Sequence, residues 1–269
     1  MSLKIFVAAF LWSTIGVAAT YGRDVIWLAF FRSFTASLIS LTARPSRRGL
    51  VPGLLLGGLF SVYPLAAVSA GVGTAAYLLY TAPLWTTAAL ALTGERPTRR
   101  ELAAVVLVLA AVGLMAYQSL SGALSPVGLL AGLASGALYG LYIAAARRLS
   151  KSGDEKAASL GAMPYTLVIT ASLLLLRQEP PGLEAVLAGV YLGIFGTLLP
   201  YKLFASAVKT VRGSRASVIA TLEPVLAAVW GLLLFGQAPN STALSAYVLI
   251  TAAALLASLE GRPARGRSP

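Results

Sequence analysis

The sequence predicts an all-α integral membrane protein with ten transmembrane helices, built as two inverted repeats of five helices. Three observations predict it: an apolar composition, ten apolar segments of spanning length, and basic residues that alternate between the two sides. The 269 residues are 58% hydrophobic and 11% charged, with a mean hydropathy of +0.81. Because a soluble domain carries about 25% charged residues, too few charges are present to cover a water-soluble globule.

Ten segments are apolar enough to cross a bilayer, which takes about 20 residues of helix. Their approximate bounds are 4–20, 25–43, 50–70, 74–92, 101–119, 126–146, 157–176, 185–208, 216–235 and 243–260. The third and fourth segments are separated only by Gly71-Val72-Gly73. Because the segments are apolar all round, without alternating polarity, they predict helices and not the strands of a β-barrel.

The Lys and Arg residues predict the orientation in the membrane. With the N-terminus placed in the cytoplasm, 17 of the 21 fall in cytoplasmic segments, and only Arg23 and Arg177 fall in external loops. Since cytoplasmic loops are enriched in Lys and Arg, we expect a multi-pass protein of the cell membrane with both termini in the cytoplasm. The net charge of +12 then reflects orientation and contacts with anionic lipid headgroups, and we expect no nucleic-acid partner.

The composition also argues against several kinds of chemistry. The chain has no cysteine and no histidine, which removes disulfides, thiol catalysis and histidine-based triads or zinc sites. Its two aspartates, Asp24 and Asp154, fall in predicted loops. We therefore expect no enzyme, no catalytic residue, no metal site and no cofactor. The sequence has no ATP-binding motif, so any transport would be driven by gradients.

The two halves of the chain resemble each other in order. Phe34-Thr35-Ala36-Ser37-Leu38, near the second span, is echoed by Ile169-Thr170-Ala171-Ser172-Leu173, near the seventh. The predicted units are a first repeat at 1–120, an inverted second repeat at 121–262 and a basic cytoplasmic tail at 263–269. Because five is odd, the second half must enter the membrane from the opposite side, as in many secondary transporters. A duplicated scaffold without a transport role is the alternative.

Four prolines occupy corresponding places inside spans of the two halves and predict helix breaks. Pro64 in the third span corresponds to Pro200 in the eighth, and Pro83 in the fourth to Pro224 in the ninth. Each proline removes a backbone donor and leaves a carbonyl unpaired. In lipid that is tolerated where neighbours or a water-filled cavity satisfy the freed group. The placement predicts a cavity between these four spans, the alternative being kinks that only improve packing.

Three ionisable residues lie inside predicted spans, where charges are costly and often functional. Glu223 could bind a substrate amine, carry a coupled proton, or serve as the static partner of a basic residue. Lys202 lies at a similar depth, so it could pair with Glu223 and hold a zwitterion. It could also gate the cytoplasmic side, or snorkel to the headgroups. Arg32 suits a structural role, bridging backbone carbonyls exposed at a broken neighbouring helix, and contact with substrate is its alternative.

Aromatic residues cluster near the predicted breaks. Aromatic walls with a few polar groups suit small organic ligands, whereas an interfacial belt is the alternative role for such side chains. The residues predicted to line the substrate path are Trp12, Tyr63, Tyr80, Trp85, Tyr139, Tyr142, Tyr201, Lys202 and Glu223.

Motifs in the first, second, fourth and ninth spans carry a family resemblance. They are Trp12 with the small residues after it, Arg32 with Ala36, Pro83 followed by Gly94-Glu95-Arg96, and Leu222-Glu223-Pro224 followed by Gly236. In this order and spacing they resemble the drug/metabolite transporter superfamily, specifically its EamA-type ten-helix members. The sequence departs from the family pattern at Ser13, where the family has Gly, and at Gln237, where it often has Glu. The resemblance implies export or exchange of small metabolites, such as amino acids, by alternating access through a central cavity.

These features together predict a secondary carrier of small metabolites. Amino acids are the first expectation, because opposite charges at similar depth suit a zwitterion. An organic anion or phosphorylated metabolite bound by Lys202 and Arg32 is the second, together with drug exchange. A channel or a lipid-handling scaffold is the alternative of a different class. The expected partners are a small-molecule substrate and the lipid bilayer, with the chain acting as a monomer or homodimer.

Overall fold

The computed structural model describes residues 2–41, 45–70, 72–119, 125–177, 179–236 and 238–259. These residues form helices and contain no strand. The helices are α1 (Leu3–Ser13), α2 (Ile15–Gly22), α3 (Val25–Ser40), α4 (Leu50–Ala70), α5 (Val72–Leu79), α6 (Ala82–Leu92), α7 (Arg99–Ser119), α8 (Pro126–Lys151), α9 (Glu155–Ala158), α10 (Met163–Ser172), α11 (Leu183–Gly193), α12 (Leu199–Ala207), α13 (Gly213–Ala220), α14 (Glu223–Phe235) and α15 (Ser241–Ser258).

Each of the ten predicted spans coincides with helix in the structure. Four spans consist of helix pairs: α1 with α2, α5 with α6, α11 with α12, and α13 with α14. By length and composition, eight helical stretches among the described residues could cross a membrane. The second and seventh spans contain shorter apolar helices, Val25–Ser40 and Leu160–Leu175. The all-helical, multi-span class is therefore observed, and the count of ten crossings stays a prediction.

The fourth and ninth spans are interrupted at corresponding points. The fourth breaks at Tyr80-Thr81, between α5 and α6, and the ninth breaks at Thr221-Leu222, between α13 and α14. Pro83 and Pro224 each lie in the first turn of the helix after the break. A proline is tolerated there because the first-turn N–H groups have no partner within the helix.

The other pair of prolines behaves differently in the two halves. In the eighth span, α11 and α12 are joined by a π-helical turn at Ile194–Leu198, and Pro200 lies in the first turn of α12. In the third span, α4 runs from Leu50 to Ala70 through Pro64 without interruption, so the break expected at Pro64 is wrong. A proline removes a single ladder bond, and the packing of α4 against α8 and α10 supports the turns on both sides.

Glycines on α8 bring it close to the broken helix α5–α6. A Cβ atom at Gly136 would lie 2.5 Å from the carbonyl oxygen of Leu78, and one at Gly140 would lie 2.6 Å from that of Ala82. The Thr86 hydroxyl donates to the carbonyl of Gly140 at 3.0 Å. This approach, of the kind that small residues permit between membrane helices, holds the fourth span firmly.

The helix pairings of one half have counterparts in the other. The pairing of α4 with α8 corresponds to that of α1 with α12 and α2 with α11, and α3 with α11 corresponds to α10 with α4. Two related halves in opposite orientations would produce this pattern. The predicted junction near residue 120, the tail at 263–269 and Gln237 lie outside the described residues.

Candidate functional site

Glu223 is the first residue of α14, directly after the break in the ninth span. A carboxylate is favoured there because unpaired N–H groups and the helix dipole place positive potential at a helix N-terminus. α14 is also loosely packed, since it contains no buried residue and Glu223 itself is only partly buried. The break therefore places a partly buried carboxylate at a helix N-terminus inside the span.

The residues around Glu223 come from five other spans. The side chain of Tyr80 lies close enough to Glu223 to interact with its carboxylate. Four more side chains are close enough to interact electrostatically with the Glu223 carboxylate: Arg32, Tyr63, Tyr139 and Tyr201. We call the following set the Glu223 cluster: Trp12, Arg32, Tyr63, Tyr80, Tyr139, Tyr201 and Glu223.

Arg32 is held by the π-helical turn of the eighth span. Its Nε donates to the Thr197 hydroxyl at 2.6 Å, and its Nη2 donates to the carbonyl of Gly196 at 3.0 Å. Its Cζ lies 4.0 Å from the centroid of the Phe60 ring, a cation–π contact. The guanidinium thus supports irregular backbone inside the span, the structural role that suits a planar fork of donors.

Aromatic rings form one wall of the cluster. Trp12 lies 5.1 Å from Tyr201 and 6.0 Å from Tyr139 between ring centroids, the second pair in edge-to-face geometry. The buried Nε1 of Trp12 and the buried hydroxyl of Tyr139 have no hydrogen-bond partner among the described residues. Buried polar groups are nearly always hydrogen-bonded, so these two donors are suited to a polar ligand.

Three of the predicted site residues lie apart from this cluster or are otherwise engaged. Lys202 is exposed and forms no ion pair with Glu223 within the described part of the chain. Trp85 is 37% exposed, and its Nε1 donates to the Thr81 hydroxyl at 3.3 Å. Tyr142 is fully buried and donates to the carbonyl of Ala158 at 3.1 Å. The exposure of Lys202 fits the snorkelling alternative.

A cavity of about 540 Å³ lies on the predicted external side of the cluster. Thr14 lines it and accepts from the Tyr191 hydroxyl at 3.1 Å. Trp230, another lining residue, donates from Nε1 to the buried Ser13 hydroxyl at 3.0 Å. Trp230 lies seven residues after Glu223, about 10 Å along α14. The lining is mostly apolar and aromatic: Thr14, Val17, Ala18, Tyr21, Glu184, Leu187, Ala188, Tyr191, Trp230 and Leu234.

The predicted cytoplasmic end is joined across the two halves by ion pairs. Glu95, in the turn between α6 and α7, accepts from Arg147 Nε at 2.9 Å and from the Gly213 N–H at 3.1 Å. Arg147 Nη1 also donates to the carbonyls of Val208 and Lys209, at 2.6 and 3.0 Å. The turn of the first half is therefore bound to α8 and to the α12–α13 connection of the second half.

A second pair reinforces this junction. Glu101, fully buried at the start of α7, accepts from Arg212 Nε at 2.8 Å. Its other oxygen accepts from the Thr98 N–H at 2.8 Å, while its own N–H donates to the Thr98 hydroxyl at 3.2 Å, which is a capping box. We call Glu95, Glu101, Arg147 and Arg212 the cytoplasmic ion-pair network.

Sequence reasoning assigned no site role to this network, although some signals were present. Thr98-Arg99-Arg100-Glu101 has the capping-box spacing. Arg147 follows Gly140 and Ile143 at helical spacing on the buried face of α8, which separates it from the exposed Arg148. The pairing of Arg147 with Glu95 across 52 residues has no local signal, because it depends on how the two halves pack.

Comparisons with known proteins add to this geometry. Residues 126–259 match the EamA-like transporter family. An uncharacterized transporter of Archaeoglobus fulgidus is 30% identical over 265 residues, which is 94% of each chain. The threonine/homoserine exporter RhtA of Escherichia coli K12 is 27% identical over 242 residues, covering 88% of this chain and 79% of that protein. A solved crystal structure shares the fold, with a TM-score of 0.79 at 24% identity over 96% of both chains.

Proposed function

The chain belongs to the EamA-like transporter family, and we propose that it is a secondary active transporter of amino acids that works by alternating access. Its multi-pass helical architecture and the transporters among its relatives support transport of metabolites. The Glu223 cluster supports an amino-acid substrate, because one carboxylate lies beside a broken helix together with two donors that have no partner among the described residues.

The cluster is suited to both ends of a zwitterion. A substrate ammonium group would pair with the Glu223 carboxylate beside Tyr80. A substrate carboxylate would accept from Trp12 Nε1 and the Tyr139 hydroxyl, which are without partners in the described structure. This assignment replaces Lys202 as the partner of the substrate carboxylate, because Lys202 is exposed. It also follows the rule that ionisable groups inside a membrane protein are usually functional.

An organic anion as the preferred substrate has less support. That alternative depends on Lys202 and Arg32, but Lys202 is exposed and two groups of the Arg32 guanidinium donate to Thr197 and Gly196. The Arg32 guanidinium therefore already donates to the π-helical turn and has fewer N–H groups left for an anion. The match to a threonine/homoserine exporter agrees with an amino-acid substrate and with the direction of export or exchange.

Alternating access is supported by the contrast between the two ends of the molecule. The cavity beside the cluster lies on the predicted external side, and the cytoplasmic ion-pair network joins the two halves on the other. We infer an outward-open conformation from this arrangement. The opposite conformation would need separation of Glu95 from Arg147 and of Glu101 from Arg212, with closure of α14 onto α2 and α11.

The test is counterflow in proteoliposomes loaded with unlabelled amino acids. We expect labelled threonine or homoserine to accumulate transiently and with saturation. The Glu223→Gln variant should lose at least about tenfold of this activity, since one charge-assisted contact is worth about that factor. The matched control is Glu184→Gln, which removes a carboxylate that lines the external cavity and should retain most of the activity.

Two outcomes would contradict the proposal. Steady ionic current without counterflow of any tracer would establish a pore. Counterflow of organic acids but of no amino acid, with full activity in Glu223→Gln, would establish an anion exchanger and exclude a role for the carboxylate.

A further inference from the structure

A second cavity, of about 530 Å³, opens at the predicted cytoplasmic end beside the ion-pair network. It lies between the α6–α7 turn of the first half and the last turns of α8 in the second half. Its charged lining consists of one carboxylate, Glu95, and five cations: Arg96, Arg147, Arg148, Lys151 and Arg212. We call this cavity the basic pocket.

The carboxylates near the basic pocket neutralise only two of its cations. Glu95 pairs with Arg147 and uses its other oxygen for the Gly213 N–H. Arg212 pairs with Glu101, which is fully buried and so unavailable to the other cations. Arg96, Arg148 and Lys151 line the same pocket and form no ion pair within the described part of the chain. Three like charges thus line one cavity without an ion-pair partner among the described residues.

Orientation in the membrane does not require this arrangement. Basic residues in short cytoplasmic loops act as orientation signals wherever they lie in the loop. Arg148 and Lys151 also lie in the last turn of α8, where the helix dipole favours cations, but that interaction does not direct them to a shared cavity. Convergence of guanidinium and ammonium groups on a concave surface is instead typical of a site for an anion.

We propose that the basic pocket binds a phosphate-bearing anion that bridges the two halves of the transporter. Guanidinium groups donate in forks to phosphate oxygens, and lysine adds a point charge. The pocket lies at the predicted cytoplasmic ends of α6 and α8, a position in which basic pockets between helices bind anionic lipid headgroups. A phospholipid headgroup and free phosphate share this chemistry and differ in whether an acyl chain anchors the ligand.

The bound anion would act on the conformational equilibrium. Arg96 comes from the first half and Arg148 and Lys151 from the second, so one anion between them holds the cytoplasmic ends together. A ligand that binds one conformation better shifts the population toward it. Bound phosphate therefore favours the conformation in which the cytoplasmic end is closed. This effect is separate from the substrate, and the binding itself does not depend on the transport proposal.

The experiment measures binding with the purified full chain in a neutral detergent. The Tm is followed during titration with phosphatidylglycerol, phosphatidylcholine or inorganic phosphate. We expect phosphatidylglycerol to raise the Tm in a saturable way, with the midpoint shifted at least about tenfold in Arg148→Gln/Lys151→Gln, because each lost charge-assisted contact weakens binding by about that factor. The control is Arg47→Gln/Lys156→Gln, which removes equal charge from exposed cytoplasmic residues outside the pocket and should shift the midpoint less than about twofold.

A charge-preserving variant separates loss of binding from misfolding. Arg148→Lys/Lys151→Arg should retain most of the response. A response to phosphatidylglycerol alone identifies a lipid headgroup site, and an equal response to inorganic phosphate identifies a site for free phosphate. The proposal is overturned if phosphatidylcholine stabilises the protein equally, or if the pocket variant and the control variant lose the response to the same extent.

Discussion

The two ends of this molecule are closed or opened by different kinds of contact. At the predicted cytoplasmic end, Glu95 and Glu101 of the first half pair with Arg147 and Arg212 of the second. At the predicted external end, the space between α2, α11 and α14 is a cavity with a mostly apolar lining. Ion pairs are directional and costly to break when buried, whereas apolar surfaces can close with little geometric demand. The difference indicates that the ion pairs Glu95–Arg147 and Glu101–Arg212 are the specific contacts that hold this conformation.

The two broken spans also differ, in how deeply the helix after each break is buried. α6 buries Ala82, Pro83, Thr86, Thr87 and Leu90, whereas α14 buries no residue. The reason is that α6 packs against the glycines of α8, while α14 has few neighbours beyond α1. Elements with few buried contacts are the ones that open at low free-energy cost. We therefore expect α14 to move during transport and α6 to stay with α8.

The largest effect on stability is expected when the ion pair of Glu95 with Arg147 loses its cation. In Arg147→Gln the Glu95 carboxylate, whose side chain is 12% exposed, loses its ionic partner, and removing one member of a buried pair costs up to about 3–5 kcal/mol. Thermal unfolding in detergent should show a large fall in Tm. The double variant Glu95→Gln/Arg147→Gln should recover part of it. An unchanged Tm in the single variant would show that the pair does not hold this end.

A smaller effect on stability is expected from substituting a glycine of α8 that packs against α6, a contact that α14 lacks. Gly140→Ala places a Cβ atom 2.6 Å from the Ala82 carbonyl, and such overpacking costs about 1–3 kcal/mol. Gly16→Ala is the control at the external end, where a Cβ atom meets nothing within 4 Å. It should be neutral or stabilise by up to about 1 kcal/mol, because glycine is unfavourable within a helix. Equal losses of Tm in both variants would remove the packing argument.

A change of conformational balance is expected from Glu95→Gln. Arg147 keeps its two carbonyl partners in this variant, so the protein should fold while the two halves separate more readily at the cytoplasmic end. The chain has no cysteine, so an introduced one reports its own accessibility. Ser217→Cys, 1% exposed in α13, should react with a thiol reagent about tenfold faster in the Glu95→Gln background, equivalent to about 1.4 kcal/mol.

The control for that measurement is Leu187→Cys, which lines the external cavity. Its reaction rate should be equal or lower in the Glu95→Gln background, since opening the cytoplasmic end favours closure of the external one. A faster reaction at both positions would indicate general loosening of the structure and would contradict a shift between two conformations.

The smallest effect on stability is expected at the ion pair of Asp24 with Arg177, which lies at the predicted external end. Burial alone would raise the pKa of Asp24, but the hydrogen bonds from Arg177, Trp27 and Ile26 outweigh it and hold the pKa below the ordinary value of 3.8. A carboxyl whose pKa is lowered on folding adds stability that is lost as the pH falls through the folded-state pKa. Asp24→Asn should therefore cost about 0.5 kcal/mol at pH 7.

The pH dependence of the Tm checks this assignment. The difference between the wild type and Asp24→Asn should shrink as the pH falls below about 4, where the aspartate becomes protonated. Asp24→Ala should cost more at every pH, because it also removes the side chain that accepts from the N–H groups of Ile26 and Trp27 at the start of α3. A difference that stays constant from pH 7 to pH 3 would exclude the charge as its source.

Much of this structure was predictable from local patterns. Apolar runs place the helices because backbone groups in lipid must be satisfied within each segment. The motifs around Trp12, Arg32, Pro83 and Glu223 correctly identified the family. The breaks next to Pro83 and Pro224 follow from a missing donor and need no knowledge of neighbours. The uninterrupted α4 at Pro64 shows the limit of that argument, because neighbouring helices can support a helix through a proline.

The sequence by itself determined the helical class, the positions of the apolar spans and the family, since each depends on residues near one another in the chain. Only the tertiary structure decided that the Lys202 side chain is exposed while that of Tyr201 is buried, and that Trp85 is exposed. It also decided that Arg147, and not Arg148, pairs with Glu95. The physical reason is that neighbouring helix residues point about 100° apart. Which of them faces the interior depends on how each helix is rotated against its partners, and that rotation is set by contacts between residues far apart in sequence.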